Sequence, residues 1–320
     1  SNHSDPGEAL EGARNALDRV ELGDRISHGL FEGGRWTKFE EVTQASDPQR
    51  EHLNEAAETV RSLNLLTPYI TRTRKADVQR TCERRVRSVR CELDSVEADF
   101  YQAVVSWLRT AAAERHGERS VLFLTRNRER MVAASLPAFA REVLAGNYDD
   151  DSLGAPPYRV RDLARRVLET DDTKFERLMD TLDRLIREKA DRKVLVFTSY
   201  KAPLRYLSER LSERGVDHEW IHGGVPMDPT NPEQDERGRR RDRFLEDPNC
   251  RVLLSTNVGG EGLDLQRAST VINYDFPWNP ATLEQRIGRV DRFGQREPSI
   301  QVVNILLADT VEDLIYQRLY

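Results

Sequence analysis

Short apolar runs rich in β-formers alternate with amphipathic stretches through the second half of the chain. KVLVF (193–197), HEWIH (218–222), RVLLS (251–255), STVINYD (269–275) and IQVVNILL (300–307) predict five strands. Leu204, Leu207 and Leu211 recur at helical spacing, with Gly215 placed to stop that helix. Asn231-Pro232 predicts the start of a helix running towards Phe244 and Leu245, since Asn caps well and Pro suits the first helical position. Asn279-Pro280 opens another helix, to about Arg292, and Asp309 or Thr310 caps a last one carrying Val311, Leu314, Ile315 and Leu319. Strands alternating with helices at this spacing predict an α/β fold with a mainly parallel sheet covered on both faces. In such sheets ligands bind at the carboxyl ends of strands, here the loops after 193–197, 251–255 and 269–275.

The first half is mostly helical in pattern. Helices are predicted over 8–22, 49–66 and 95–115, and over 120–145 with a break near Pro137. RRVRSVRCEL (84–93) partly alternates, placing Val89, Cys91 and Leu93 on one side of a strand. AGNYDDDSLGAPP (145–157) has the Gly, Asp and Pro content of an exposed loop, and 172–189 forms an amphipathic helix. Three segments result: a helical 1–67 of unassigned role, a helical inter-lobe or insertion region over 68–170, and an α/β lobe over 171–320.

Bulk properties narrow the partners less than the pattern does. The net charge is −6, so no global basic field advertises nucleic acid. Only 6 of the 49 cations are Lys, a bias that a GC-rich genome suffices to produce, and a basic groove inside an acidic protein stays open. The three cysteines, Cys82, Cys91 and Cys250, are too few and too scattered for a zinc site or disulfide framework, and Cys250 reads as a small buried residue before a strand. No apolar run approaches the roughly 20 residues that span a bilayer, and no apolar signal core opens the chain; a cytoplasmic location is expected.

Two segments carry chemistry. In STNVGGEGLDLQ (255–266), Ser255 and Thr256 offer hydroxyls at a strand's carboxyl end. Gly259, Gly260 and Gly262 allow close backbone approach to a phosphate, and Asp264 can accept from a ribose hydroxyl or cap a turn. In QRIGRVDRFGQ (285–295), Gln285, Arg289 and Arg292 would share one face of a helix thinned by Gly288. Two guanidiniums on one face suit a γ-phosphate; the alternative is a solvated Arg face tied to Asp291 or Glu284. His222 and Trp278 have local alternatives, a loop hydrogen bond and packing on the Asn279-Pro280 turn. The run Arg237, Arg239, Arg240, Arg241 and Arg243 is either a phosphate-facing patch or, the reading preferred, a solvated helix face paired with Asp235, Glu236 and Asp242.

These segments resemble motifs V and VI of superfamily-two helicases, and within them the Swi/Snf-type ATPases, especially bacterial RapA-like relatives. KVLVFTSY (193–200) resembles motif IV, VINYDFPWNPATLEQRIGRVDRFGQ (271–295) follows the family's run from its Trp-Asn-Pro loop into motif VI, and weaker likenesses extend the match over roughly 68–320. The resemblance implies a RecA-like C-terminal motor lobe of an ATP-dependent duplex-DNA translocase. By position, Arg289 and Arg292 would be arginine fingers, and Gln285, Gly260, Gly262 and Asp264 would face the nucleotide. Thr198, Ser199, Gly223, Gly224, Ser255, Thr256 and Asn257 would contact nucleic-acid backbone. ATP and Mg2+ would be held mainly by an N-terminal RecA-like lobe of the same full-length protein, because no G-x-x-x-x-G-K-[ST] loop and no Asp-Glu-x-His box occurs here. Alone, the chain is expected to hydrolyse almost no ATP. The Gly-Gly-Glu-Gly run departs from eukaryotic remodellers and fits the bacterial branch. A non-catalytic interaction module with a helicase-like lobe and a lobe of an RNA helicase are the competing readings.

Overall fold

The computed structural model describes residues 82–116, 121–146, 154–228, 230–231, 233–260, 263–292 and 294–319. The helices expected over 8–22 and 49–66 lie outside them. Six strands form one sheet: β1 (Glu83–Cys91), β2 (Val194–Thr198), β3 (His218–Ile221), β4 (Val252–Thr256), β5 (Thr270–Asn273) and β6 (Ser299–Leu307). Their order is β1-β6-β5-β2-β4-β3, and every neighbouring pair is parallel. β2, β4 and β5 are buried throughout, as continuous apolar runs in a two-faced sheet require.

Nine helices occur among the described residues: α1 (Ser95–His116), α2 (Val121–Ala134), α3 (Leu136–Ala145), α4 (Tyr158–Glu169), α5 (Thr173–Glu188), α6 (Lys201–Glu213), α7 (Glu236–Glu246), α8 (Pro280–Ile287) and α9 (Val311–Leu319). The strands' period of two divides the core. Val194, Val196, Leu254 and Ile305 pack with α1 to α6 on one face. Leu195, Phe197, Leu253 and Val302 pack with Phe244 of α7 and Leu283 and Ile287 of α8 on the other. The break expected near Pro137 falls at Ser135, whose hydroxyl caps α3 by accepting from the Ala138 N–H at 3.3 Å. Gly215 takes the left-handed φ of 69° that ends α6.

Two helices differ from expectation. α7 begins at Glu236, not at Pro232, because Asp235 caps it by accepting from the Gly238 N–H at 3.0 Å. Asn231 instead accepts from the Glu233 N–H at 3.2 Å, closing a turn before the helix. α8 ends at Ile287, with Gly288 as its C-cap, so it stops well short of Arg292.

A buried Lys–Glu contact joins the helical side of the core to the loop after β5. Lys174 of α5 lies 2.7 Å from Glu312 of α9 and donates to the Ala133 and Ala134 carbonyls. Glu312 also accepts from the Phe276 N–H at 3.3 Å. Burial pushes the Glu312 carboxyl up from 4.5 to about 7, against the opposing pull of Lys174. The folded chain therefore holds a proton that the unfolded chain has released. That contribution is present below the unfolded value and is lost as pH rises through the folded one. Unfolding free energy should fall by about 1–3 kcal/mol between pH ~5 and ~7, and Glu312→Gln should flatten that slope. Denaturant titrations of both proteins across this range test it; equal slopes would sink the assignment.

Candidate functional site: loops joined by a buried arginine

The loops after β2, β4 and β5 meet at Arg286, which sequence reasoning passed over. Arg286 sits on the last turn of α8 and is 2% exposed. Its Nε donates to Asn257 Oδ1 at 2.8 Å. One terminal nitrogen donates to Asn273 Oδ1 at 3.0 Å and to the Asp275 carbonyl at 2.8 Å. The other donates to Ser199 Oγ at 3.1 Å and to Asp275 Oδ1 at 2.9 Å. A guanidinium has five N–H donors, and all five are used here. Its carbon lies 5.4 Å from the centre of the Phe197 ring.

Asp275 is the matching acceptor. It receives the Thr198 hydroxyl at 2.7 Å, the Ser199 hydroxyl at 2.8 Å and the Ser199 N–H. Burial alone would raise its carboxyl; the Arg286 charge and these donors outweigh that and hold it below the ordinary range. Thr198, Ser199 and Asn257, expected to face nucleic acid, thus spend these side-chain hydrogen bonds within the lobe. The network fixes where the loops end and which backbone groups they present.

The Gly-rich segment is folded against the turn after β3. The Gly259 N–H donates to Thr256 Oγ1 at 3.1 Å, and the Gly260 N–H to the Thr256 carbonyl at 3.0 Å. Ser255 Oγ donates to the Thr256 carbonyl at 2.9 Å. A Cβ on Gly259 would lie 2.5 Å from the Ile221 carbonyl oxygen, so only glycine allows this approach. Gly223 faces Val258 in the same contact. Gly262 lies outside the described residues.

That turn is locally basic despite the net negative charge. His222 Nδ1 accepts from the Gly224 N–H at 2.8 Å, the local bond weighed from sequence. Burial, then Lys201, Arg205, Arg240 and Arg237, hold its imidazole below the ordinary range. Arg237 is buried and donates to the Gly223 and Val225 carbonyls at 3.3 and 3.1 Å, so it shapes the turn. This corrects the reading of 237–243 as a simply solvated face. The rest of that run is closer to expectation: Arg240 bonds Glu236 and lies 4.3 Å over Trp220, and Arg241 pairs with Asp242. Trp278 is 61% exposed.

Gln285 is exposed on α8, but Arg289 and Arg292 follow the helix on turns. The Arg289 N–H donates to the Arg286 carbonyl at 3.2 Å, and the Arg292 N–H to the Val290 carbonyl at 3.1 Å. Their expected common helix face is therefore replaced by a turn whose end is stapled by Gln295, donating to the Ala268 and Val290 carbonyls at 3.0 and 2.8 Å. Arg289 is half-buried and Arg292 exposed. Asp264 lies apart from the Arg286 cluster. It lines an open cleft of about 780 Å³ with Lys193, Arg241, Arg267 and Gln295. Among the described residues, no group of three or more His, Cys, Asp or Glu could hold a metal, and no helix is long and apolar enough to cross a membrane. Lys201 and Arg205 are exposed and leave cations beside the Gly223-Gly224 turn for an anion to meet.

The family model described as the helicase conserved C-terminal domain matches residues 173–294. An uncharacterized ATP-dependent helicase of Bacillus subtilis, YqhH, is 33% identical over 183 residues, which is 56% of this chain and 28% of the relative. The ATP-dependent DNA helicase DDM1 of Arabidopsis thaliana is 26% identical over 297 residues, 92% of this chain and 36% of the relative. The ATP-dependent RNA helicase FAL1 of Phaeosphaeria nodorum is 32% identical over 140 residues, 43% of this chain and 33% of the relative. This chain thus spans about a third of the length of these relatives. Among solved structures, the C-terminal part of the Fun30 ATPase domain has a TM-score of 0.51 at 18% identity, covering 74% of this chain and 88% of that one. The Sulfolobus solfataricus SWI2/SNF2 ATPase core in complex with dsDNA has a TM-score of 0.52 at 19% identity, covering 88% and 52%.

Proposed function

We propose that this chain, whose residues 173–294 match the helicase conserved C-terminal domain, is the RecA-like second motor lobe of a superfamily-two ATPase, an ATP-dependent duplex-DNA translocase of the Swi/Snf type. The observation that carries the proposal is Arg286. One buried guanidinium binds the loops that would track nucleic acid to the segment that would reach ATP, so the two sides move as one body.

In this reading ATP is the substrate, presented with its Mg2+ by the N-terminal RecA-like lobe of the full-length protein. Arg292 and Arg289 stabilise charge developing on the γ-phosphoryl group. Gln285, Gly260, Gly262 and Asp264 line the nucleotide side. Lys201 and Arg205, exposed beside the Gly223-Gly224 turn, contact backbone phosphates. Such contacts carry no base information, which suits a motor that moves along any sequence. The bacterial RapA-like branch is favoured by the Gly-Gly-Glu-Gly run. DNA is favoured over RNA by extent of likeness, since the alignment with DDM1 takes in 92% of this chain and that with FAL1 43%.

The test is nucleic-acid-stimulated ATP hydrolysis by the full-length protein. Duplex DNA should raise turnover about tenfold or more, equivalent to at least ~1.4 kcal/mol of barrier, with single-stranded RNA well below that. Equal or greater stimulation by RNA would transfer the lobe to an RNA helicase. Absence of turnover with either would leave the non-catalytic reading. The isolated chain should hydrolyse almost nothing in the same assay.

A further inference from the structure

Arg84 of β1 lies outside the matched helicase segment, yet its guanidinium ends on the turn that carries Arg289 and Arg292. Its side chain is 12% exposed. Nε donates to Asp291 Oδ2 at 2.7 Å, and a terminal nitrogen contacts the same oxygen. The other terminal nitrogen donates to both carboxylate oxygens of Glu284, at 2.9 and 3.0 Å. Glu284 belongs to the last turns of α8, and Asp291 sits between Arg289 and Arg292. One cation therefore grips this segment on both sides of the helix end. Its own position is set by the sheet: β1 runs parallel to β6 with Arg84 opposite Ile300, and the Glu83 N–H donates to the Pro298 carbonyl at 2.9 Å.

The electrostatic consequence concerns Asp291 most. It is the chain neighbour of Arg292, and its side chain is 19% exposed, so its charge is only weakly screened by water. With Arg84 in place, that carboxylate has its partner behind the turn. Arg292 is exposed and makes no ion pair with any described residue. Without Arg84, Asp291 would be left to pair with Arg292, its chain neighbour. A finger paired with a carboxylate has neither the charge nor the free N–H groups to offer a phosphoryl oxygen.

We infer that Arg84 is a positioning residue for ATP hydrolysis: it occupies Asp291 so that Arg292 beside it stays directed at the nucleotide. The inference rests on the finger reading given under Proposed function. It places part of the catalytic control in a strand that precedes the matched helicase segment.

The experiment is a substitution set in the full-length protein, read by steady-state ATP hydrolysis with saturating duplex DNA. Arg84→Ala should lower kcat by about tenfold or more while KM for ATP changes less than about threefold, the pattern of an interaction made in the transition state. Adding Asp291→Asn to Arg84→Ala removes the competing carboxylate and should restore kcat to within about threefold of wild type, which a purely structural role would not do. Arg84→Lys keeps charge and bulk but loses the two-oxygen grip, and should fall between wild type and alanine. If Arg84→Ala does not fold, Arg84→Lys with and without Asp291→Asn carries the same comparison. Wild-type kcat in the Arg84 variants, or a double variant no better than the single one, overturns the inference. Arg292→Ala in the same series separates the two failures. If it loses turnover while the Arg84 variants do not, only the positioning role falls. If it keeps turnover, the finger reading falls first.

Discussion

Arg286→Ala is expected to destabilise the folded chain by about 3–5 kcal/mol, the range for breaking a buried ion pair by deleting one partner. The reason is the number of groups left behind. Asp275 would keep its buried charge without its cation, and Asn257 and Asn273 would each lose a donor. The loss would spread along a polar row that crosses the sheet. Asn273 donates to Asn304 at 2.8 Å, Asn304 lies 3.4 Å from Ser88, and Ser88 donates to Tyr316 at 2.9 Å. Arg286→Lys should recover less than half of the loss, because an ammonium has three donors for five acceptor positions. Denaturant unfolding of this chain measures both; a loss below about 1 kcal/mol would refute the hub. Acid gives a second readout. Asp275 is held below the ordinary carboxylate range, so its contribution is present above the unfolded value and lost as pH falls through the lower folded one. Wild type should weaken on acidification below pH ~4, and Arg286→Ala should show less of that slope.

The hub also shows where sequence reading stops. Strands β2 and β4 were legible within a residue, because a strand buried on both faces must be a continuous apolar run. α1 and α5 were legible within a residue from their helical pattern. The end of α8 was not, since arginines are equally at home in a helix and in the turn after it, and only Gly288 marks the change. α4 went unread: Val160, Leu163, Ala164 and Val167 keep helical spacing, but Arg residues and the adjoining Gly-Asp-Pro stretch mask it. Arg286 left a signal that was available. Leu283, Arg286, Ile287 and Val290 follow the i, i+3, i+4, i+7 stripe of a buried face, and a charge inside that stripe must find partners. Those partners come from loops more than ten residues away, so the type of residue could be read while its contacts could not. The same limit hid Arg84, whose acceptors lie some two hundred positions along the chain.

The largest functional effect is expected at Arg292. On the proposed reading, Arg292→Ala in the full-length protein lowers DNA-stimulated ATP turnover by about a thousandfold or more, the scale of a missing arginine finger. The structure separates this from a folding effect. Arg292 is exposed, and surface changes of this kind shift stability by less than about 0.5 kcal/mol, so the variant should unfold at the wild-type denaturant concentration. Nucleotide affinity should fall less than about tenfold, because a finger acts on charge that develops in the transition state and hardly on the bound ground state. Arg292→Lys should not rescue turnover, since an ammonium lacks the planar fork that meets two phosphoryl oxygens. Turnover within tenfold of wild type would remove Arg292 from the chemistry. A matched loss of affinity and turnover would make it a binding residue instead. The contrast with Arg286 is what gives the pair its force. Six positions apart, Arg286 and Arg292 divide one segment between a buried side that holds the lobe together and an exposed side, and the two substitutions should fail in opposite assays.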